Sequence, residues 1–205
     1  AFKYQAKGNP FTDTDLTNPN ITNTVRQKYL SATSTVLSQT DGSVLIVLPS
    51  YTEAKWMYDV LNTHSQANTS SLYLDTASTN AETESLKHDF FNDESGILLT
   101  GAHGTLTEGV DYYGDRLAAV ICLGVPLANT NEPKSKALIS TFDEYYGNQN
   151  GFEYAFTIPA FRQVRQVLGR VIRSHTDIGI TVLCDERYTV PHTTTGTTAS
   201  WTTMQ

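Results

Sequence analysis

The sequence predicts an α/β fold: a mostly parallel sheet with helices on both faces. Three observations carry this reading. Short apolar runs recur along the chain and read as strands, and Val44-Leu45-Ile46-Val47-Leu48 is continuous, as in strands buried on both faces. Segments of helical spacing separate these runs, which favours right-handed crossovers between parallel strands. The length of 205 residues suits one domain, one and a half at most.

Residues 1–20 read as an irregular lead-in, with Gly8, Pro10 and Pro19 among Asp, Thr and Asn. Residues 22–39 read as a helix on the spacing of Ile21, Val25, Tyr29, Leu30, Val36 and Leu37, closed by Asp41-Gly42. The strand 44–48 ends at Pro49. Residues 51–63 form a helix with Ala54, Met57, Tyr58 and Leu61 on one face. A short strand at 71–74 precedes a helix over 80–92, and a strand at 96–100 precedes a Gly/Thr loop reaching Asp115. A strand at 117–123, a helix over 133–146, a helix from Pro159 to about Arg173 and a strand at 178–184 complete the order. The main domain thus spans 21–190. Residues 191–205, rich in Thr, are expected to be a poorly ordered tail. There is no internal repeat.

Composition excludes several classes. At 39% hydrophobic and 10% aromatic residues the chain is not a disordered polymer. No run of eighteen apolar residues is present, so no transmembrane helix is expected, and the start lacks a signal-peptide core. It also lacks an initiator Met, which suggests a fragment or a processed product. Cys122 and Cys184 sit in apolar runs and read as buried structural thiols; two cysteines cannot make a disulfide framework or a four-thiolate metal site. A net charge of −7 speaks against a generally basic nucleic-acid binder. Charge is unevenly placed, however: Arg162, Arg165, Arg170, Arg173 and Arg187 cluster near the C-terminus. The acidic, Thr-rich remainder would suit a salt-rich cytoplasm.

Ligands of open α/β sheets bind beyond the carboxyl ends of strands. Three such places stand out. After the first strand, Ser50 and Glu53 have the spacing of a capping box, and the same free N–H groups could hold a phosphate. After the strand at 96–100, the run from Gly101 to Asp111 combines three glycines with three Thr/Asp side chains, Thr105, Thr107 and Asp111, and can bring backbone close to a ligand. It is neither a dinucleotide fingerprint nor a Walker A loop. His103 has no second ligand at metal spacing and reads as a plain loop histidine. The third place is the helix ending in Arg173. Val164, Val167, Leu168, Val171 and Ile172 form its apolar stripe. Gln166, Arg170 and Arg173, spaced four and three apart, are expected on one shared face, where two guanidinium groups could reach one polyphosphate. Gly169 inside the helix costs ~1 kcal/mol and calls for a close-approach reason.

The order of these motifs resembles the XPD/DinG family of superfamily-two DNA helicases. Gln166-x-x-Gly169-Arg170-x-x-Arg173, followed by Asp177-x-Gly179 and Asp185-x-Arg187-Tyr188, resembles the family's motif VI and the strand after it. Glu108-Gly109-Val110-Asp111-Tyr112 resembles motif V, and Pro49-Ser50-Tyr51 resembles motif IV. Asn9-Pro10-Phe11 and Gly124-Val125-Pro126-Leu127 resemble flanking signatures, with Asn9, Leu127, Tyr112 and Tyr188 departing from the usual residues.

The resemblance implies a RecA-like second motor domain. It implies ATP with Mg2+ bound jointly with a first RecA-like motor domain, which would carry the Walker A and D-E-A-H motifs absent here. Arg170 and Arg173 would be arginine fingers and Gln166 and Gly169 would meet the phosphates. Glu108, Gly109 and Asp111 would link nucleotide to DNA grip. Ser50, Tyr51, Thr105 and Thr107 would touch single-stranded DNA. No metal site and no iron–sulfur cluster are expected in this chain. The isolated chain is expected not to hydrolyse ATP, and the protein to act in the cytoplasm, at the nucleoid in a prokaryote. Two other readings stand beside this one: a non-catalytic RecA-like module that binds nucleic acid or a partner, and a metabolic α/β enzyme with an anion site.

Overall fold

The computed structural model describes residues 23–63, 70–76, 79–104, 106–107, 117–128, 130, 132–147, 150–171, 178–188, 193–194 and 197–198. The element order is α1 (Asn23–Leu37), β1 (Ser43–Leu48), α2 (Tyr51–Thr63), β2 (Leu72–Leu74), α3 (Asn80–Asn92), β3 (Ile97–Gly101), β4 (Leu117–Leu123), α4 (Pro133–Tyr146), α5 (Ile158–Leu168) and β5 (Ile180–Cys184). The predicted alternation of strands and helices is therefore present. The two-residue strands β6 (Thr193–Thr194) and β7 (Thr197–Thr198) pair antiparallel.

The main sheet has five strands in the order β2-β3-β1-β4-β5, and every pairing is parallel. β1 lies at the centre, and all six of its residues are buried. That position demands an apolar residue on both faces, which is why its sequence is a continuous run rather than an alternation. Side chains of a strand point alternately to the two faces, and two cores result. Leu45 and Val47, with Leu98, Val120 and Cys122, pack against Phe90 of α3 and Ala160, Phe161, Val164 and Val167 of α5. Val44, Ile46 and Leu48, with Leu99, Ala119, Ile121 and Cys184, pack against Val25 and Tyr29 of α1 and Ala54, Met57 and Leu61 of α2. The result is three layers, helix–sheet–helix.

Helix starts follow local chemistry, with one correction. Thr79 and Glu82 close a reciprocal capping box at α3. Ser50 and Glu53 do not. Ser50 Oγ accepts the Glu53 N–H at 3.3 Å, but the Glu53 carboxylate turns instead to Arg26 on α1. A further correction concerns the arginine helix. Its chain enters through a π-helical turn at Glu153–Thr157, becomes α-helical at Ile158 and leaves that state after Leu168, five residues before Arg173. Helix α4 has no buried residue and leans on the π-helical turn through aromatic stacking, with Tyr146 and Tyr154 centroids 4.0 Å apart. Among the described residues, no helix is long and apolar enough to cross a membrane.

Candidate functional site

The carboxyl ends of β1, β3, β4 and β5 build one edge of the molecule. Leu48 O, at the end of β1, accepts the Ala102 N–H at 2.7 Å, joining that edge to the loop after β3. Gly101 packs against the start of α2: a Cβ there would stand 3.0 Å from Tyr51 N. Ser50, Tyr51 and the 101–107 loop are thereby brought together. Ser50 is exposed and Tyr51 half-buried.

The loop is folded by its own polar groups. Thr107 Oγ1 lies 2.6 Å from Gly104 O and 3.0 Å from Ala102 O, sharing its one proton between them. The buried Asp75 carboxylate accepts from Thr100 Oγ1 at 2.8 Å beneath the same loop. A Cβ on Gly104 would collide with Thr100 Oγ1 and stand 2.7 Å from Asp75 Oδ2, so this position requires glycine. Thr107, expected on the strand-gripping surface, is 2% exposed and shapes the loop from inside. His103 is exposed, and among the described residues no cluster of His, Cys, Asp or Glu has metal-holding geometry. Thr105, Glu108, Gly109, Asp111 and Arg173 lie outside the described residues.

Next along this edge, Gly124 ends β4 with φ +81°. Its N–H donates to Cys184 O at 3.1 Å, and its carbonyl accepts the Tyr188 hydroxyl at 2.7 Å. Burial pushes the Tyr188 phenol well above its ordinary range, so it remains a donor. Asp185 holds Arg187 in a two-pronged ion pair at 2.7 and 2.6 Å. Arg187, counted with the basic cluster on sequence, is thus committed to a latch after β5. Cys122 and Cys184 are buried and unbridged, on opposite faces of the sheet, and burial pushes both thiols up to about 12.

Helix α5 connects this edge to a second locus. Its apolar face is core, while Arg162, Arg165 and Gln166 are exposed. Gln163, off the apolar stripe, donates its side-chain amide to Ala102 O, spanning 61 residues of sequence. At the other end, bonds from Arg170 N to Val167 O and from Val171 N to Leu168 O replace α-helical ones. This tighter turn interrupts the regular four-residue helical step from Gln166 to Arg170 that the spacing suggested. Val171 packs against Gly179, beside Ala118 O, near the amino ends of β4 and β5. Arg170 is therefore not at a carboxyl edge, contrary to the sequence-based expectation; it sits two helical turns from the Ala102 loop. Gly169 has φ −64° and a Cβ there would meet only Arg165 O and Gln166 O, at 3.4 and 3.5 Å. Among the described residues nothing close requires a glycine at that position. Sequence reasoning also missed Arg26, whose guanidinium pairs with Glu53 and lies 5.0 Å over the Trp56 ring.

A parallel 2-3-1-4-5 sheet covered by helices on both faces is a RecA-like domain. A family model described as the helicase C-terminal domain matches residues 33–203, and the chain belongs to that family. More narrowly, it is a C-terminal helicase domain of the XPD/DinG family of superfamily-two helicases. It is 36% identical over 93 residues to the general transcription and DNA repair factor IIH helicase subunit XPD of Dictyostelium discoideum. It is 38% identical over 98 residues to that subunit of Schizosaccharomyces pombe. These stretches cover 45% and 47% of this chain and 12% of each relative. A solved XPD helicase aligns with a TM-score of 0.59 at 20% identity, over 88% of this chain and 30% of its own. Domain 2 of the DEAD-box helicase Mss116p, bound to an RNA duplex, aligns at 0.50 and 15% identity, over 80% of this chain and 52% of its own. The structural matches establish the fold.

Proposed function

We propose that this domain is the second half of an ATP-driven DNA motor, completed by a first RecA-like domain of the same full-length protein. The observation that supports the reading most is the outward basic face of α5, Arg162, Arg165 and Gln166, leading into Arg170. A helix whose opposite face is core has its backbone fixed before any ligand arrives, which lowers that part of the ordering cost of binding.

Gln166 and Arg170 offer an amide and a guanidinium, the donor set for polyphosphate oxygens. The ligands of Mg2+ would come from the first domain, with the Walker A and D-E-A-H motifs that the family resemblance assigns to it. ATP with Mg2+ supplies the phosphoanhydride that is cleaved. Arg170, together with Arg173, neutralises charge at the transferring phosphoryl group, a contribution of ~10³–10⁵ in rate in related chemistry. Gly169 admits the phosphates closely, while Glu108, Gly109 and Asp111 carry the link to the DNA side. Ser50 and Tyr51, with Thr105, contact the single-strand backbone through hydroxyls and N–H groups, which give grip without reading sequence. Thr107 contributes by folding the loop. The net −7 does not oppose this, because such contacts carry no formal charge. Opening and closing of the cleft would move the motor along single-stranded DNA in the 5′ to 3′ direction. The setting would be DNA repair or related DNA metabolism, in the cytoplasm or at the nucleoid.

Strand displacement by the full motor tests the reading. With ATP, a duplex bearing a 5′ single-stranded tail should be opened and one bearing only a 3′ tail should not. Opening from the 3′ tail overturns the polarity. Single-strand binding with no ATP hydrolysis supports the non-catalytic module instead.

A further inference from the structure

We propose that Gln163 is a positioning residue that couples the arginine turn to the strand-contacting loop, an inference that rests on the motor function proposed above. Three observations meet at this residue. Gln163 is half-buried, whereas its polar neighbours Arg162, Arg165 and Gln166 are exposed. Its side-chain amide donates to Ala102 O. Ala102 in turn is fixed to Leu48 at the end of the central strand by its N–H at 2.7 Å, and its carbonyl is shared with Thr107 Oγ1 at 3.0 Å.

Gln163 thus ties one helix to the node that holds both the end of β1 and the loop running to Thr107. The helix runs five residues further, to Leu168, about 8 Å at ~1.5 Å per residue, and Arg170 follows on the tight turn bonded back to Val167 O. A packed helix moves as a rigid rod and shifts by ~1–2 Å in switching proteins. A hydrogen bond does not survive such a shift unless its partner follows. A pull on Arg170 must therefore either drag the Ala102 loop or break the Gln163 bond. The contact is close-packed: the cavity between α5 and the sheet edge, lined by Leu48, Ala102, Gly124, Pro126, Gln163 and Val167, measures only about 10 Å³. The amide is neutral, and its coupling is directional rather than electrostatic.

The bland alternative is that Gln163 only satisfies a loop carbonyl. Two variants of the full motor separate these. Gln163→Met keeps length and apolar bulk but removes the donor; Gln163→Glu removes the donor and places a carboxylate toward a carbonyl. Four quantities are read: thermal midpoint, ATPase rate without DNA, the factor by which single-stranded DNA stimulates it, and the DNA Kd with and without a non-hydrolysable ATP analogue. Gln163→Met is expected to keep the midpoint and the DNA-free rate within twofold. The stimulation factor should fall about tenfold, and the analogue's effect on DNA Kd should shrink by a comparable factor, since binding coupling is reciprocal. Gln163→Glu should show the same loss or a larger one. Unchanged stimulation and unchanged Kd ratio in Gln163→Met overturn the proposal, as does a loss that merely tracks a lowered midpoint. If the unsubstituted motor itself shows no DNA-stimulated ATPase, the motor function has failed and the coupling role falls with it.

Discussion

Two glycines of the site should respond to alanine in opposite directions. At Gly124, φ is +81°, and an added Cβ would stand 2.7 Å from Pro49 Cγ and 2.8 Å from Tyr29 Oη. The left-handed backbone costs an alanine ~1–2 kcal/mol. Forcing a methyl group into packed surroundings costs ~1–3 kcal/mol more. The Gly124 carbonyl and N–H also hold Tyr188 and Cys184, so the segment cannot simply move aside. Gly124→Ala should therefore lose about 2–5 kcal/mol, a large share of the ~5–15 kcal/mol that keeps a domain folded. Gly169→Ala starts from φ −64° with only ordinary contacts at 3.4 and 3.5 Å. It should be neutral or stabilising by up to ~1 kcal/mol, because alanine narrows the unfolded ensemble. Urea unfolding followed by circular dichroism gives both values. A loss under 1 kcal/mol at Gly124, or one above 1 kcal/mol at Gly169, would refute the packing argument. In the full motor, Gly169→Ala separates stability from function: if phosphates approach there, ATPase activity drops while the domain stays as stable.

Other consequences are local. Arg26→Ala removes a two-pronged partner from Glu53, whose side chain is 10% exposed, and should cost about 2–3 kcal/mol in urea unfolding; a loss below 0.5 would mean that the carboxylate finds water instead. Alkaline pH should destabilise the domain through its thiols. Folded Cys122 and Cys184 ionise at about 12 against an ordinary 9.0, so their contribution is intact below 9 and is lost as pH rises toward 12. Each thiol adds a slope of up to ~1.4 kcal/mol per pH unit in that window, and Cys184→Ala should flatten the curve by that amount. Parallel curves for the two proteins would contradict the burial.

Much of the fold was legible because the determinants are local. A sheet covered on both faces requires apolar runs, and the one at Val44–Leu48 could hardly sit elsewhere than at the centre. Helices α2, α3 and α4 were bounded by spacing, proline and polar breaks. The arginine helix was misjudged because its apolar period continues through Val171 and Ile172, whereas its end is set by the tighter turn and by Val171 meeting Gly179. The site was legible as motifs and illegible as geometry. Gln163 reaches across 61 residues to Ala102, Tyr188 across 64 to Gly124, and Arg26 across 27 to Glu53. Pairs so distant leave no periodic trace. Glu53 shows the cost: its spacing from Ser50 is right for a capping box, but a stronger partner on α1 takes the carboxylate. Arg187 likewise belongs to the basic cluster by sequence alone, whereas Asp185 takes up its guanidinium in the fold.

The central claim is that Arg170 acts on phosphate in a composite site with a first motor domain. The direct measurement is the ATPase rate of the full motor with saturating single-stranded DNA, compared with Arg170→Ala at matched folded fraction. The account predicts a fall within the ~10³–10⁵ range for loss of such an arginine, with DNA binding retained. An unchanged rate in Arg170→Ala would contradict it.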